Sequence, residues 1–318
     1  MKRRQFLMSA AAAVGTKLFT SQAGAQSAGS VARESRTFHV LGVPLRAGSL
    51  LPGNENDAQA YREEQLVAHL RAAGCKVVDD GDVAIPSFLP HHSIPPIRSW
   101  PAPRIAWEAV RDRVAPLLQE PNQVPFLVGC DCSVVVGTTE ALTRVAGDGV
   151  HVLYLDGDFD DAAPEAGRSQ SAASCAVWLL THASPFWAGP VLRPEQVSVI
   201  GWTSPSRSAA PGMGSISLAE LRRTGPKQAA TRALASVPAS AAVLLHFDTD
   251  VVARNELPSA YFPHDQGLTL SETAELLRVF LRDPRIRIIE ISEYAALRDL
   301  DRQNVNKLIQ LLADGLRT

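Results

Sequence analysis

Two aspartate runs each close an apolar stretch of the chain. Tyr154-Leu155-Asp156-Gly157-Asp158-Phe159-Asp160 follows His151-Val152-Leu153, and Phe247-Asp248-Thr249-Asp250 follows the stretch from Ala241 to His246. Carboxylates two residues apart at the end of a buried strand point the same way. If both strands lie in one parallel sheet, five carboxylates meet at its carboxyl edge, where open α/β sheets bind ligands. Two like unit charges ~4 Å apart repel by roughly 4 kcal/mol at an effective dielectric near 20. Five such charges call for cations, so the expected chemistry is that of a divalent-metal site.

A third segment, Gly129-Cys130-Asp131-Cys132-Ser133, also follows an apolar run, Phe126 to Val128. Taken singly, each motif has another reading. Gly129 to Ser133 is also a tight strand-to-helix turn. Asp248-Thr249-Asp250 is also a loop cap or the metal-nucleotide motif of a glycosyltransferase. Asp156-Gly157-Asp158 is also the nucleophile motif of a haloacid-dehalogenase-like phosphatase, although that motif opens its fold and here lies mid-chain.

The elements that must position these segments alternate between strand and helix, which predicts a mostly parallel sheet covered on both faces. Predicted strands are Phe38 to Val43, Lys76 to Asp79, Phe126 to Val128, Val150 to Leu155, Val197 to Gly201, Val243 to Phe247 and Ile286 to Ile291, about seven in all. Predicted helices include the face marked by Leu66, Val67, Leu70 and Ala73, then Ile105 to Leu118, Val134 to Ala146, Ala172 to Leu180 and Lys227 to Ala235. Thr269-Leu270-Ser271-Glu272 is a capping box that opens another. Val305, Leu308, Ile309 and Leu312 mark one face of a closing helix. Arg46 to Asn56, Pro86 to Pro103 and Ser204 to Ser217 read as loops rich in Pro, Gly, Asn or Ser. No linker splits the chain, so residues 36–318 are expected to form one domain.

With 318 residues and 46% hydrophobic content, the chain is long enough for one large packed domain. A formal net charge of −2 argues against a nucleic-acid surface. No run of 18 apolar residues follows the N-terminus, so no membrane span is expected in the mature protein. Residues 1–30 read as a signal peptide: Lys2, Arg3 and Arg4 precede a mild apolar run and the small-residue site Ala23-Gly24-Ala25. The pair Arg3-Arg4 before Phe6-Leu7 resembles a twin-arginine export signal, with an ordinary signal or an uncleaved anchor as the other readings. Cutting after Ala25 leaves Gln26 first, and the resemblance implies a bacterial periplasmic or secreted protein. The four cysteines, Cys75, Cys130, Cys132 and Cys175, are expected to form no structural disulfide.

The order and spacing of the three acidic segments resemble the arginase, agmatinase and formimidoylglutamase family, the ureohydrolases. That family carries Gly-Gly-Asp-His-Ser, Asp-x-His-x-Asp and Ser-x-Asp-x-Asp. The same places here read Gly129-Cys130-Asp131-Cys132-Ser133, Asp156-Gly157-Asp158-Phe159-Asp160 and His246-Phe247-Asp248-Thr249-Asp250. Val40-Leu41-Gly42-Val43-Pro44, Ala72-Ala73-Gly74 with Val77-Val78-Asp79-Asp80-Gly81-Asp82, and Gly267-Leu268-Thr269 also match, so the resemblance covers nearly all the chain after residue 36. It implies an arginase-like three-layer α/β sandwich and two manganese ions bridged by hydroxide. Carried over residue by residue, Cys132, Asp156, Asp160 and Asp248 would hold one ion. Asp156, Asp158, Asp248 and Asp250 would hold the other, with Asp156 and Asp248 bridging. Such a pair makes a nucleophile of shared water at neutral pH, here aimed at the carbon of a small guanidino or amidino substrate. Glu293 falls where the family has a glutamate facing the substrate cation, so a charge-assisted hydrogen bond is implied. Trimers and hexamers are common in such families, so a homo-oligomer is implied as well.

Three departures stand out. Cys132 replaces a histidine ligand, and a thiolate favours zinc or iron over manganese. Asp158 replaces the other, adding charge and a hard oxygen. The stretch Ser169-Gln170-Ser171-Ala172-Ala173-Ser174-Cys175 has no histidine where the family has one that moves a proton. Losing such a group costs roughly 10²–10⁴ in rate. His182 and His264 are the histidines that would supply a proton instead, although each by itself reads as a surface or core-edge residue. The departures leave two further readings: a non-catalytic binding protein on the same fold, and a phosphoryl- or glycosyl-transfer enzyme using carboxylate-bound Mg²⁺. The last lacks a glycine-rich phosphate loop.

Overall fold

The computed structural model describes residues 36–49, 55–86, 96–204 and 208–317. Runs such as Phe126-Leu127-Val128 and Val243-Leu244-Leu245 are buried on both faces, as strands of a helix-covered parallel sheet must be. Eight such strands form one sheet. They are β1 (Thr37–Gly42), β2 (Lys76–Asp82), β3 (Gln123–Cys130), β4 (Val150–Leu155), β5 (Val197–Ile200), β6 (Gly214–Ile216), β7 (Ala242–Asp248) and β8 (Ile286–Ser292). Their order is β2-β1-β3-β8-β7-β4-β5-β6, and every pairing is parallel.

Nine helices among the described residues are α1 (Asp57–Glu63), α2 (Leu66–Ala72), α3 (Ala102–Leu118), α4 (Val135–Ala146), α5 (Ala176–Thr181), α6 (Leu218–Thr224), α7 (Pro226–Ser236), α8 (Leu270–Phe280) and α9 (Gln303–Leu316). Alternate residues of each strand enter two separate cores. Leu153, Leu155, Leu245 and Phe247 pack with residues of α1, α2 and α6 to α9. Val152, Tyr154 and Leu244 pack with residues of α3, α4 and α5. The predicted three-layer sandwich is therefore the observed architecture.

The departures from prediction are local. The sheet has eight strands rather than seven; three-residue β6 lies inside the predicted Ser204 to Ser217 loop. Helix α6 follows it, capped by the Ser217 hydroxyl, which accepts from Glu220 N–H at 3.2 Å. Helix α3 starts at Ala102, since Pro103 is tolerated in a first turn. Helix α5 starts only at Ala176, after a short 3₁₀ turn. The Thr269–Glu272 capping box forms, with Thr269 N–H donating to Glu272 Oε2 at 2.7 Å and Glu272 N–H to Thr269 Oγ1 at 3.1 Å. All four cysteines are free thiols. Among the described residues no helix is long and apolar enough to cross a membrane. The twin-arginine signal and the cut after Ala25 lie outside the described residues.

Candidate metal centre

The four adjacent strands β3, β8, β7 and β4 bring the acidic segments to one carboxyl edge. Leu155 pairs with Phe247, which sets Asp156 beside Asp248, and Asp248 pairs with Ser292, one residue before Glu293. At the end of β3, Gly129 has φ +79°, and a Cβ there would lie 2.5 Å from the backbone nitrogen of Ala58. Glycine thus lets the strand end press against α1. Asp131 then clamps the turn. Its Oδ1 accepts from Ser133 N–H at 2.9 Å and its Oδ2 from Gly48 N–H at 2.9 Å. It is the clamp that fixes Cys132.

Asp156 and Asp248 use their oxygens alike. Asp156 Oδ1 accepts from Asp158 N–H at 2.6 Å, and Asp248 Oδ1 from Asp250 N–H at 2.7 Å. Cys132 Sγ lies 2.5 Å from Asp248 Oδ2 and 3.8 Å from Asp156 Oδ2. Two sets of donors result. In one, atoms of Cys132, Asp156, His246 and Asp248 all lie within 4.8 Å of one another; in the other, Asp158, Asp250 and His264 do.

His246 is already engaged. Its Nδ1 is 2.9 Å from Glu290 Oε2, its Nε2 is 3.1 Å from Ser292 Oγ, and its ring stacks on Tyr154. Ser292 Oγ in turn is 3.3 Å from Cys132 Sγ. This fully buried chain supports the thiol from behind. Asp160 belongs to neither set; its Oδ2 accepts from Tyr154 O–H at 2.7 Å, and it lines the adjoining cavity.

That cavity, about 370 Å³, falls within the usual size of a small-molecule site. Cys132, Asp158, Asp160, Asp248, Asp250 and Glu293 share its lining with Ser49, Arg98, Arg168 and Tyr261. Glu293 is buried at φ +57°, a costly backbone state for a non-glycine residue that concentrates at functional sites. Its Oε2 accepts from Ser49 O–H at 2.9 Å, while Oε1 has no protein partner.

Burial drives the electrostatics. Desolvation, then the neighbouring carboxylates, pushes Asp156 and Asp248 well above the usual carboxylate range. Asp160 is also pushed well up by burial, and Asp250 is raised. Burial beside Asp248 and Asp156 likewise lifts the Cys132 thiol far up. Desolvation and the Asp131 charge push Glu293 up to about 8. The carboxylate of Asp158, then that of Asp250, holds the His264 imidazolium up to about 10 against desolvation. Protons so held are what divalent cations displace. One soft sulfur among hard carboxylate oxygens, with an imidazole beside them, fits divalent ions of the manganese, iron or zinc type.

Sequence reading of the lone histidines is corrected for one of them. His264 is no core-edge bystander: its Nε2 is 3.2 Å from Asp158 Oδ2 and 3.7 Å from Asp250 Oδ2. Nothing in the local sequence signals this, because the loop from Val252 to Leu268 must fold back first. His182 is exposed and stacks on Trp178.

The sequence model of the arginase family matches residues 36–314. No curated protein sequence matches the chain. Among solved structures, arginase from Bacillus subtilis is 22% identical with a TM-score of 0.75, covering 89% of this chain and 99% of its own. Proclavaminate amidino hydrolase from Streptomyces clavuligerus is 19% identical, TM-score 0.69, covering 89% and 91%. Trypanosoma cruzi formiminoglutamase, solved with Mn²⁺, is 16% identical, TM-score 0.66, covering 90% and 94%.

Proposed function

We propose that this chain, which belongs to the arginase family, is a metal-dependent hydrolase cleaving a carbon–nitrogen bond in a guanidino or amidino compound. The observation that carries this is the convergence of Cys132, Asp158, Asp248 and Asp250 on the wall of a cavity that Glu293 also lines, with Asp156 directly behind it beside Cys132 and Asp248. Cys132, Asp156 and Asp248 would hold one divalent cation, and Asp158 and Asp250 the other, with Asp160 in the wall of the adjoining cavity. The ions when bound would make water a nucleophile at neutral pH. Manganese follows from the family; zinc or iron follows from the Cys132 sulfur.

The chain's own groups position the substrate. Glu293 offers Oε1 to the cationic carbon–nitrogen head, and the Ser49 hydroxyl fixes the other oxygen. Arg98 and Arg168 are the cations of the cavity lining. A substrate carrying an anionic group besides its cationic head suits that lining. A screen of guanidino and amidino compounds, scored by urea or ammonia release with Mn²⁺, Zn²⁺ and Fe²⁺, tests the reading. Turnover of guanidino acids above plain alkylguanidines is expected.

Replacement of two family histidines by Cys132 and Asp158 favours a second reading, a binding protein without turnover. Binding of the same compounds with no product under any of the three metals would select it. Export by the twin-arginine route is part of the proposal. It requires a periplasmic chain that begins at Gln26, read by N-terminal sequencing of that fraction.

A further inference from the structure

We infer that His264 is a ligand of the second cation, an imidazole delivered from the loop after β7 to a position that the β4 loop fills with Asp158. This rests on the metal-site reading above.

The placement of His264 is specific. Its Nε2 lies 3.2 Å from Asp158 Oδ2 and 3.7 Å from Asp250 Oδ2, and so faces both carboxylates at once. A nitrogen that served only to pair with one carboxylate would point at one oxygen. A nitrogen facing the space between two carboxylates is arranged as the third donor of a common centre. All three donors lie within 4.8 Å of one another.

The surroundings keep it there. A Cβ at Gly157 would lie 2.6 Å from His264 Cδ2 and 2.9 Å from Asp250 Oδ1. Glycine between Asp156 and Asp158 thus makes room for this ring. The loop is pinned from below, because His264 C=O accepts from Arg254 N–H at 2.8 Å and Arg254 Nη2 donates to Pro263 C=O at 2.7 Å. A backbone bridge joins Val252 to Leu268 at the loop's base. Asp158 and Asp250 line the cavity and His264 does not. Its nitrogen faces two carboxylates at 3.2 and 3.7 Å, the placement of a ligand.

The only other imidazole among the two donor sets, His246, has both nitrogens occupied by Glu290 and Ser292. An imidazole detected on a bound ion is therefore assigned to His264.

The test counts ions and inspects their ligands. The mature chain is loaded with Zn²⁺, freed of excess by gel filtration, and titrated against a chromophoric chelator. Two ions per chain and imidazole scattering at the zinc X-ray edge are expected for wild type. His264→Asn should keep the ion at Cys132 and weaken the other by at least the roughly 10–100-fold that even an outer-shell loss costs. Imidazole scattering should vanish with it. Asp158→His in the His264→Asn background should restore both, since the ring then arrives from the other loop. Wild type without imidazole scattering overturns the inference, as does His264→Asn holding two ions at wild-type affinity with only turnover lost. Wild type that binds no zinc or manganese overturns it together with the metal-site reading, and so differs from a failure of His264 alone.

Discussion

Asp156 and Asp248 are cross-strand neighbours: each is the residue after the paired Leu155 and Phe247 of β4 and β7. Each caps its own loop with Oδ1, and Oδ2 lies toward Cys132, 2.5 Å away for Asp248 and 3.8 Å for Asp156. The loop cap and the proposed cation donor are thus different oxygens of one side chain. Asp248→Asn keeps an oxygen acceptor for Asp250 N–H while removing the charge. It should leave the secondary structure intact and weaken divalent-ion binding by at least roughly 10–100-fold. Circular dichroism and dialysis against a metal buffer read the two effects separately.

In the proposed site, Cys132 is the residue that would set the choice of metal. Its sulfur is held between Asp248 and Ser292 in full burial. A thiolate favours softer ions, and imidazole or oxygen donors relax that preference. Cys132→His should raise manganese affinity relative to zinc by about tenfold or more, measured by competition between the two ions. An unchanged ratio would remove Cys132 from the coordination sphere.

The raised acids give the metal-free protein a defined pH response. Glu293 is pushed up to about 8, and Asp156, Asp160, Asp248 and Asp250 are raised in the same direction. His264 is held up to about 10. In every case the folded chain binds the proton more tightly than the unfolded chain. That stability is complete below the unfolded values and fades as pH rises through the folded ones. Metal-free protein should therefore melt at lower temperature at pH 8 than at pH 5. Added Mn²⁺ or Zn²⁺ competes with those protons and should raise the melting temperature more at pH 8. A metal effect larger at pH 5 would contradict the assignment.

Glu293→Gln tests the substrate anchor. The side chain keeps its shape and its bond to Ser49 but loses its charge. A hydrogen bond to a charged group contributes roughly 1.5–3 kcal/mol, so kcat/KM for a guanidino substrate should fall about 10- to 100-fold. Ion content should stay at the wild-type value, because Glu293 belongs to neither donor set.

The parallel sheet was legible because its strands are apolar on both faces, and the Thr269–Glu272 cap because its spacing is local. The meeting of Asp156 with Asp248 was legible because each ends an apolar run in a chain of alternating strands and helices. β6 was hidden because three residues at a sheet edge carry no period. Helix α6 was missed, although Ser217-Leu218-Ala219-Glu220 carries its cap, because it follows directly on a loop rich in proline and glycine. His264 was named from sequence only as a substitute proton source, and its meeting with Asp158 and Asp250 was not legible. It stands 14 residues beyond Asp250 in sequence, and only the folding back of its loop brings it to Asp158. The buried chain Glu290–His246–Ser292–Cys132 was missed for a similar reason, since it crosses three strand ends.

The most direct measurement is the metal content of the purified protein, by elemental mass spectrometry after loading and gel filtration. Two divalent ions per chain are expected, falling below two in Asp156→Ala. A chain that folds normally and retains no divalent ion, with the Asp156→Ala variant indistinguishable from it, would contradict the central claim.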